Sequence, residues 1–168
     1  MKAATTKTAA KRRRNWRSGK QLLFAHLLVP VDFSECSQQA LRYADQIAAS
    51  FGSKVSVVNV IPLNEGLLRL GAEQLRVFDE ELRENQRRKL MAFVRTSIAQ
   101  KPFHSIVRLG QPVEEIIRTA DDIGAAAIVI STHGLTGIKR ALIGSTAEQV
   151  IRHAERPVCV VPARKMYD

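Results

Sequence analysis

The chain has 168 residues, 45% of them hydrophobic, and a formal net charge of +10. That length fits one domain whose apolar surface supplies a core without disulfide help. No apolar stretch approaches the ~18 to 20 residues of a membrane span, and the N-terminus lacks a signal peptide's apolar middle region, so the expectation is a soluble protein with no membrane contact. Its two cysteines, Cys36 and Cys159, form neither a Cys-x-x-Cys pair nor a secreted framework, which favours a reducing, cytoplasmic compartment.

The charge is unevenly spread. Residues 1 to 20 contain eight of the 26 Lys and Arg residues and no acid, leaving 18 basic against 16 acidic residues, or +2, for the rest. Residues 1–22 therefore read as a basic, disordered extension and residues 23–165 as the folded domain. A tail of this composition is open to three readings: a plain extension, an arm touching nucleic acid or another polyanion, or an organelle transit peptide. Trp16 within it is a single aromatic that could stack on a base, thin support for the nucleic-acid reading.

In chain order, FAHLLVPVDFS from Phe24 gives an apolar first strand ending at Asp32. A helix follows from Ser34, with Ala40, Leu41, Ala44, Ile47, Ala48 and Phe51 at helical spacing and Gly52 as its stop. KVSVVNVIP is the second strand, closed by Pro62, and LNEGLLRLG reads as an irregular connection. The spacing of Leu75, Phe78, Leu82, Leu90, Met91, Val94 and Ile98 predicts a long helix over 73 to 100, stopped by Pro102, whose polar stretch ENQRRK faces solvent. FHSIVRLG is the third strand, and Pro112 suits the first turn of the helix VEEIIRTADD. AAAIVI is the fourth strand; Ser131-Thr132-His133-Gly134 follows, then Gly144-Ser145-Thr146 opens the last helix, Ala147 to His153, and RPVCVVP is the fifth strand.

This βαβαβαβαβ order, with near-continuous apolar strands, implies a single doubly wound α/β domain: a five-stranded parallel sheet in the order 3-2-1-4-5 with helices on both faces. Strands one and four then lie side by side where the winding reverses, and ligands of open α/β sheets bind beyond the carboxyl ends of strands at that point. Asp32 and Ser131, about 100 residues apart in sequence, would end those neighbouring strands.

A glycine-permitted loop entering a helix N-terminus is a phosphate cradle, because the first backbone N–H groups lack helical partners. Ser145-x-x-Glu148 also matches a capping box, which would use the same N–H groups. Asp32 likewise has two readings, a ligand contact or a structural role that caps the first helix or satisfies nearby loop amides. Cys36 lies near that helix's start, where the dipole can lower a thiol's pKa and make it redox-responsive, yet most isolated cysteines are inert, while Cys159 belongs in the core.

The set VPVDFS at 29 to 34, Gly110-x-Pro112, STHG with nine residues before GST, and RPVCVVP resembles the universal stress protein family over about residues 24 to 163. In its nucleotide-binding members the loop reads Gly-x-x-Gly, nine residues, Gly-Ser/Thr, and holds ATP. Here Ser131 stands in place of the first glycine, while Gly134, Gly144 and Ser145 match the rest. A serine would crowd the ligand if φ must be positive there, although its hydroxyl is also a donor. The resemblance implies that Val31, Asp32 and Val60 meet the adenine and that Thr132, His133, Gly134, Gly144, Ser145 and Thr146 surround ribose and phosphates, with Ser131 beside them. Lys139 and Arg140 are secondary candidates for screening phosphate charge. ATP is the implied cofactor, Mg²⁺ its companion.

No phosphate-loop lysine motif, Gly-x-Gly-x-x-Gly or Gly-x-Ser-x-Gly elbow is present, so no catalytic residue is assigned and the expectation is a nucleotide binder with at most slow ATP hydrolysis. His26, His104, His133 and His153 have no ligand spacing, so no metal site is assigned. The charge-free fifth strand lies at the sheet's edge and predicts a homodimer through it. The alternative function is an ATP-independent regulatory dimer whose basic tail contacts nucleic acid.

Overall fold

The computed structural model describes residues 24–63, 72–98, 103–132 and 143–162, with backbone alone for 72–79. The five strands are β1 (His26–Pro30), β2 (Lys54–Pro62), β3 (Phe103–Gly110), β4 (Ala127–Ser131) and β5 (Val158–Val161). They form one sheet in the order β3-β2-β1-β4-β5, every pairing parallel. The helices α1 (Glu35–Phe51), α2 (Ala72–Ser97), α3 (Pro112–Asp122) and α4 (Ser145–His153) are the crossovers.

Alternation of side chains along each strand divides the core in two. Leu27 and Val29 of β1 face one way with Val57 of β2, where Leu41 and Ala44 of α1 and Leu90 and Val94 of α2 cover them. Leu28 and Val58 face the other way, under Ile116 of α3 and Val150 of α4. Both faces of β1 and β4 are therefore buried, which is why their sequences run apolar without a polar alternation. Each of these buried Leu and Val side chains stabilises the fold by about 1.5–3 kcal/mol.

Local chemistry sets the helix ends. Ser34 caps α1 by accepting from the Ser37 N–H at 3.1 Å, and Gly52 closes it at φ +67°, a left-handed conformation that glycine adopts without strain. Pro112 begins α3, with Glu114 and Glu115 in the first turn against the positive end of its dipole. Arg156, just before β5, donates to the Asp121 carboxylate and to the carbonyls of Ala120 and Ala125, fixing the α3 terminus to the last strand.

Two expectations about local structure change. The polar stretch of α2 does not all face solvent, since Gln86 is half-buried and bonds inward. Cys159 is half-buried against the core rather than within it. The basic extension, the connection 64–71, the stop at Pro102 and the side chains of Leu75 and Phe78 lie outside the described residues.

Candidate functional site

A cavity of about 340 Å³ opens beyond the carboxyl ends of β1 and β4, within the ~300–1,000 Å³ range of small-molecule sites. Val31 and Asp32 reach it from the β1 end, Val60 from β2, Ser131 and Thr132 from the β4 end, and Gly144, Ser145 and Thr146 from the start of α4. All eight described candidates thus line one crevice, although they come from three distant stretches of sequence. His133 and Gly134, with Lys139 and Arg140, lie outside the described residues.

The lining is mixed in chemistry. Val58, Val60, Pro62, Pro112 and Ile116, with Ile130 and Ala147, make an apolar slot, and Asp32 is the carboxylate among the described lining residues. Sequence reasoning missed Pro62, Pro112 and Ile116; both prolines were legible as punctuation marks of their elements, and only the fold turns them toward the crevice. The slot suits a flat apolar ring system whose edge offers hydrogen-bond donors to a carboxylate.

Asp32 does not cap α1 itself. One of its oxygens accepts from the Ser34 N–H at 3.1 Å and from the Ser34 hydroxyl at 2.5 Å, and Ser34 in turn caps the helix. Phe33, between them, has φ +67° and is the one non-glycine residue with positive φ among the described residues. Such a conformation costs about 1–3 kcal/mol and persists where surrounding contacts hold it, often at functional sites.

At the start of α4, Gly144 is the N-cap, and no side-chain cap hydrogen bond forms there among the described residues. The expected capping box is not formed: Ser145 is already the first helical residue, and Glu148 turns away to pair with Arg152 at 2.8 Å. The Gly144 N–H donates to the Thr132 carbonyl at 2.6 Å, tying together the two ends of the loop between them. An uncapped helix start facing a cavity carries partial positive charge and N–H donors suited to an anion. The Ser145 and Thr146 hydroxyls line the same end and are the oxygen donors available there to a hydrated Mg²⁺ bound with phosphates.

Ser131 is the buried last residue of β4, and its φ is not in the positive region. Its backbone therefore needs no glycine, which removes the strain that the serine would have introduced. At Cys36 burial pushes the thiol up from the ordinary range, with Asp32 and Glu35 adding to the rise, which favours the inert reading over a redox-responsive thiolate. Burial also pushes the Cys159 thiol up. Among the described residues no three His, Cys, Asp or Glu side chains gather as a metal site, and no helix is long and apolar enough to cross a membrane.

Fold and crevice together define a doubly wound α/β protein with a ligand-sized cleft at its winding reversal. The sequence profile described as the Universal stress protein family matches residues 24–162. Universal stress protein MJ0577 of Methanocaldococcus jannaschii is 30% identical over 155 residues, covering 83% of this chain and 96% of that protein. Universal stress protein G of Shigella flexneri is 32% identical over 143 residues, covering 83% and 99%. The solved structure of MJ0577 superposes with a TM-score of 0.69 at 27% identity, over 86% of this chain and 99% of that one. A universal stress protein from Archaeoglobus fulgidus, solved in complex with dAMP, gives 0.51 at 27% identity, over 83% and 98%. The chain belongs to the universal stress protein family.

Proposed function

We propose that the chain is an adenine-nucleotide-binding regulatory protein whose ligand is ATP. The observation that carries this reading is the lining of the crevice, which brings together an apolar slot, the Asp32 carboxylate and the start of α4. The base lies in the slot against Val31, Asp32 and Val60. The ribose and phosphates lie along Ser131, Thr132, Gly144, Ser145 and Thr146. The dAMP complex of the Archaeoglobus fulgidus relative supports an adenine nucleotide in this fold. Mg²⁺ accompanies the phosphates, and hydrolysis is slow or absent, in keeping with a sequence that carries no phosphate-loop lysine motif.

The protein acts as a switch: ATP contacts the segment after Thr132 and changes the surface that a partner reads. It works as a cytoplasmic homodimer paired through β5. The two sheet edges are unequal in a way that supports this pairing. At β3, Arg83 of α2 donates to the Val107 carbonyl at 3.3 Å, and Arg108 is held by Thr119 and Asp122. β5 is Val-Cys-Val-Val, half-buried throughout and without a charge of its own.

Calorimetric titration of the full chain with ATP and with AMP tests the reading. Saturable heat is expected, and no binding of either at millimolar concentration overturns it. Light scattering is expected to give a dimer mass; a monomer at all concentrations removes the β5 pairing.

A further inference from the structure

Asn59 is an amide in the middle of an apolar strand, between Val58 and Val60, and only 3% exposed. A buried amide is costly unless both of its ends are bonded. Here they are. Its nitrogen donates to the Val31 carbonyl at 2.8 Å, and its oxygen accepts from the Gln86 side-chain nitrogen of α2 at 2.9 Å. The orientation follows from chemistry, since a backbone carbonyl only accepts and the amide nitrogen must face it.

Val31 is the first residue beyond β1, and its N–H donates to the Val58 carbonyl at 2.9 Å. Asn59 supplies a side-chain substitute for the missing ladder bond on the carbonyl side. Both polar groups of Val31 are then held against β2, and the direction in which the chain leaves toward Asp32 is fixed. The next residue but one is the strained Phe33, whose ring meets Phe93 edge-on at 5.5 Å and 90°. Gln86 and Phe93 are two turns apart on α2, flanking the buried Leu90. A single helix therefore grips the Asp32 turn on both sides, by a hydrogen-bond relay before it and a ring contact after it.

We propose that Asn59 and Gln86 are positioning residues for the base end of the crevice, holding Asp32 through Val31 and coupling that end to α2. The inference rests on the nucleotide reading of the crevice. Its test uses Asn59→Leu, which keeps the volume and removes the donor, in the full chain. Adenosine affinity is expected to fall about tenfold, the equivalent of ~1.4 kcal/mol. In the ligand-free protein, hydrogen exchange at the Ser34 and Ser37 amides is expected to quicken by a similar factor, while the β4 amides are unchanged. Gln86→Lys retains a donor toward Asn59 and is expected to bind adenosine like the wild type, whereas Gln86→Glu and Gln86→Leu weaken it.

Adenosine affinity within twofold of wild type in Asn59→Leu, with unchanged exchange at Ser34, overturns the proposal. Exchange that quickens uniformly across the sheet also overturns it, because it reports general destabilisation. If Asn59→Leu does not fold, the three Gln86 variants decide. If the wild type binds no adenosine, the nucleotide reading fails, and the exchange at Ser34 still decides whether Asn59 positions the turn.

Discussion

Replacing Asp32 with alanine separates the structural and ligand roles of one carboxylate. In the free protein the change removes the acceptor of the Ser34 N–H and hydroxyl and loosens the serine that caps α1. A hydrogen bond to a charged acceptor contributes ~1.5–3 kcal/mol and a serine cap ~1 kcal/mol, part of which survives because Ser34 itself remains. The expected loss is about 1–3 kcal/mol, or a fall in Tm of roughly 3–10 °C for a domain of this size. If the base donates to the same carboxylate, ATP affinity falls by a further ~10- to 150-fold. Asp32→Asn keeps an oxygen for Ser34 and loses the charge, so it is expected to recover most of the Tm and little of the affinity. Thermal melts and calorimetry on both variants read the two effects separately. ATP affinity in Asp32→Ala within twofold of wild type refutes the placement of the base against Asp32.

Other substitutions test other parts of the account. Gly110 has φ +154°, and a Cβ there would lie 2.8 Å from Glu115 Cγ, so Gly110→Ala should cost about 1–3 kcal/mol in a denaturant melt and disturb the α3 start that lines the crevice. Ser145→Ala should change stability by less than ~0.5 kcal/mol, since Gly144 and not Ser145 is the N-cap of α4, yet weaken ATP several-fold; a loss of ~1 kcal/mol or more would restore the capping box. Burial, with Lys54 adding to it, pushes His26 below its ordinary 6.5, so the unfolded chain takes up this proton more readily. The folded state is then fully favoured above that value and loses stability as pH falls through and below it, and His26→Gln should flatten this part of the stability profile.

The fold was legible because its central strands are buried on both faces and its helices carry clear stops. Gly52 and Pro112 act at the positions their residue types dictate. The crevice was legible at the level of backbone design, since the parallel topology alone brings the residues after β1 and β4 together. What escaped were choices among nearby hydrogen-bonding groups. Gly144, not Ser145, is the N-cap of α4, because a one-residue shift at a helix start leaves the sequence pattern intact, and among its structural alternatives Asp32 takes the loop-amide one, accepting from the Ser34 N–H. The Asn59 to Gln86 relay spans 27 residues and joins two elements, so no local pattern announces it. Cys36 illustrates competition: a helix start lowers a thiol's pKa, but burial and two neighbouring carboxylates outweigh it.

The most direct measurement is a nuclear magnetic resonance titration of the full chain with ATP and Mg²⁺, following backbone amides residue by residue. Saturable shifts concentrated at Val31, Asp32, Val60, Thr132, Ser145 and Thr146 are the predicted result, lost when Gly144 is replaced by valine, a change its φ of −59° admits without backbone strain. No saturable shift, or shifts confined to residues away from this crevice, would contradict the account.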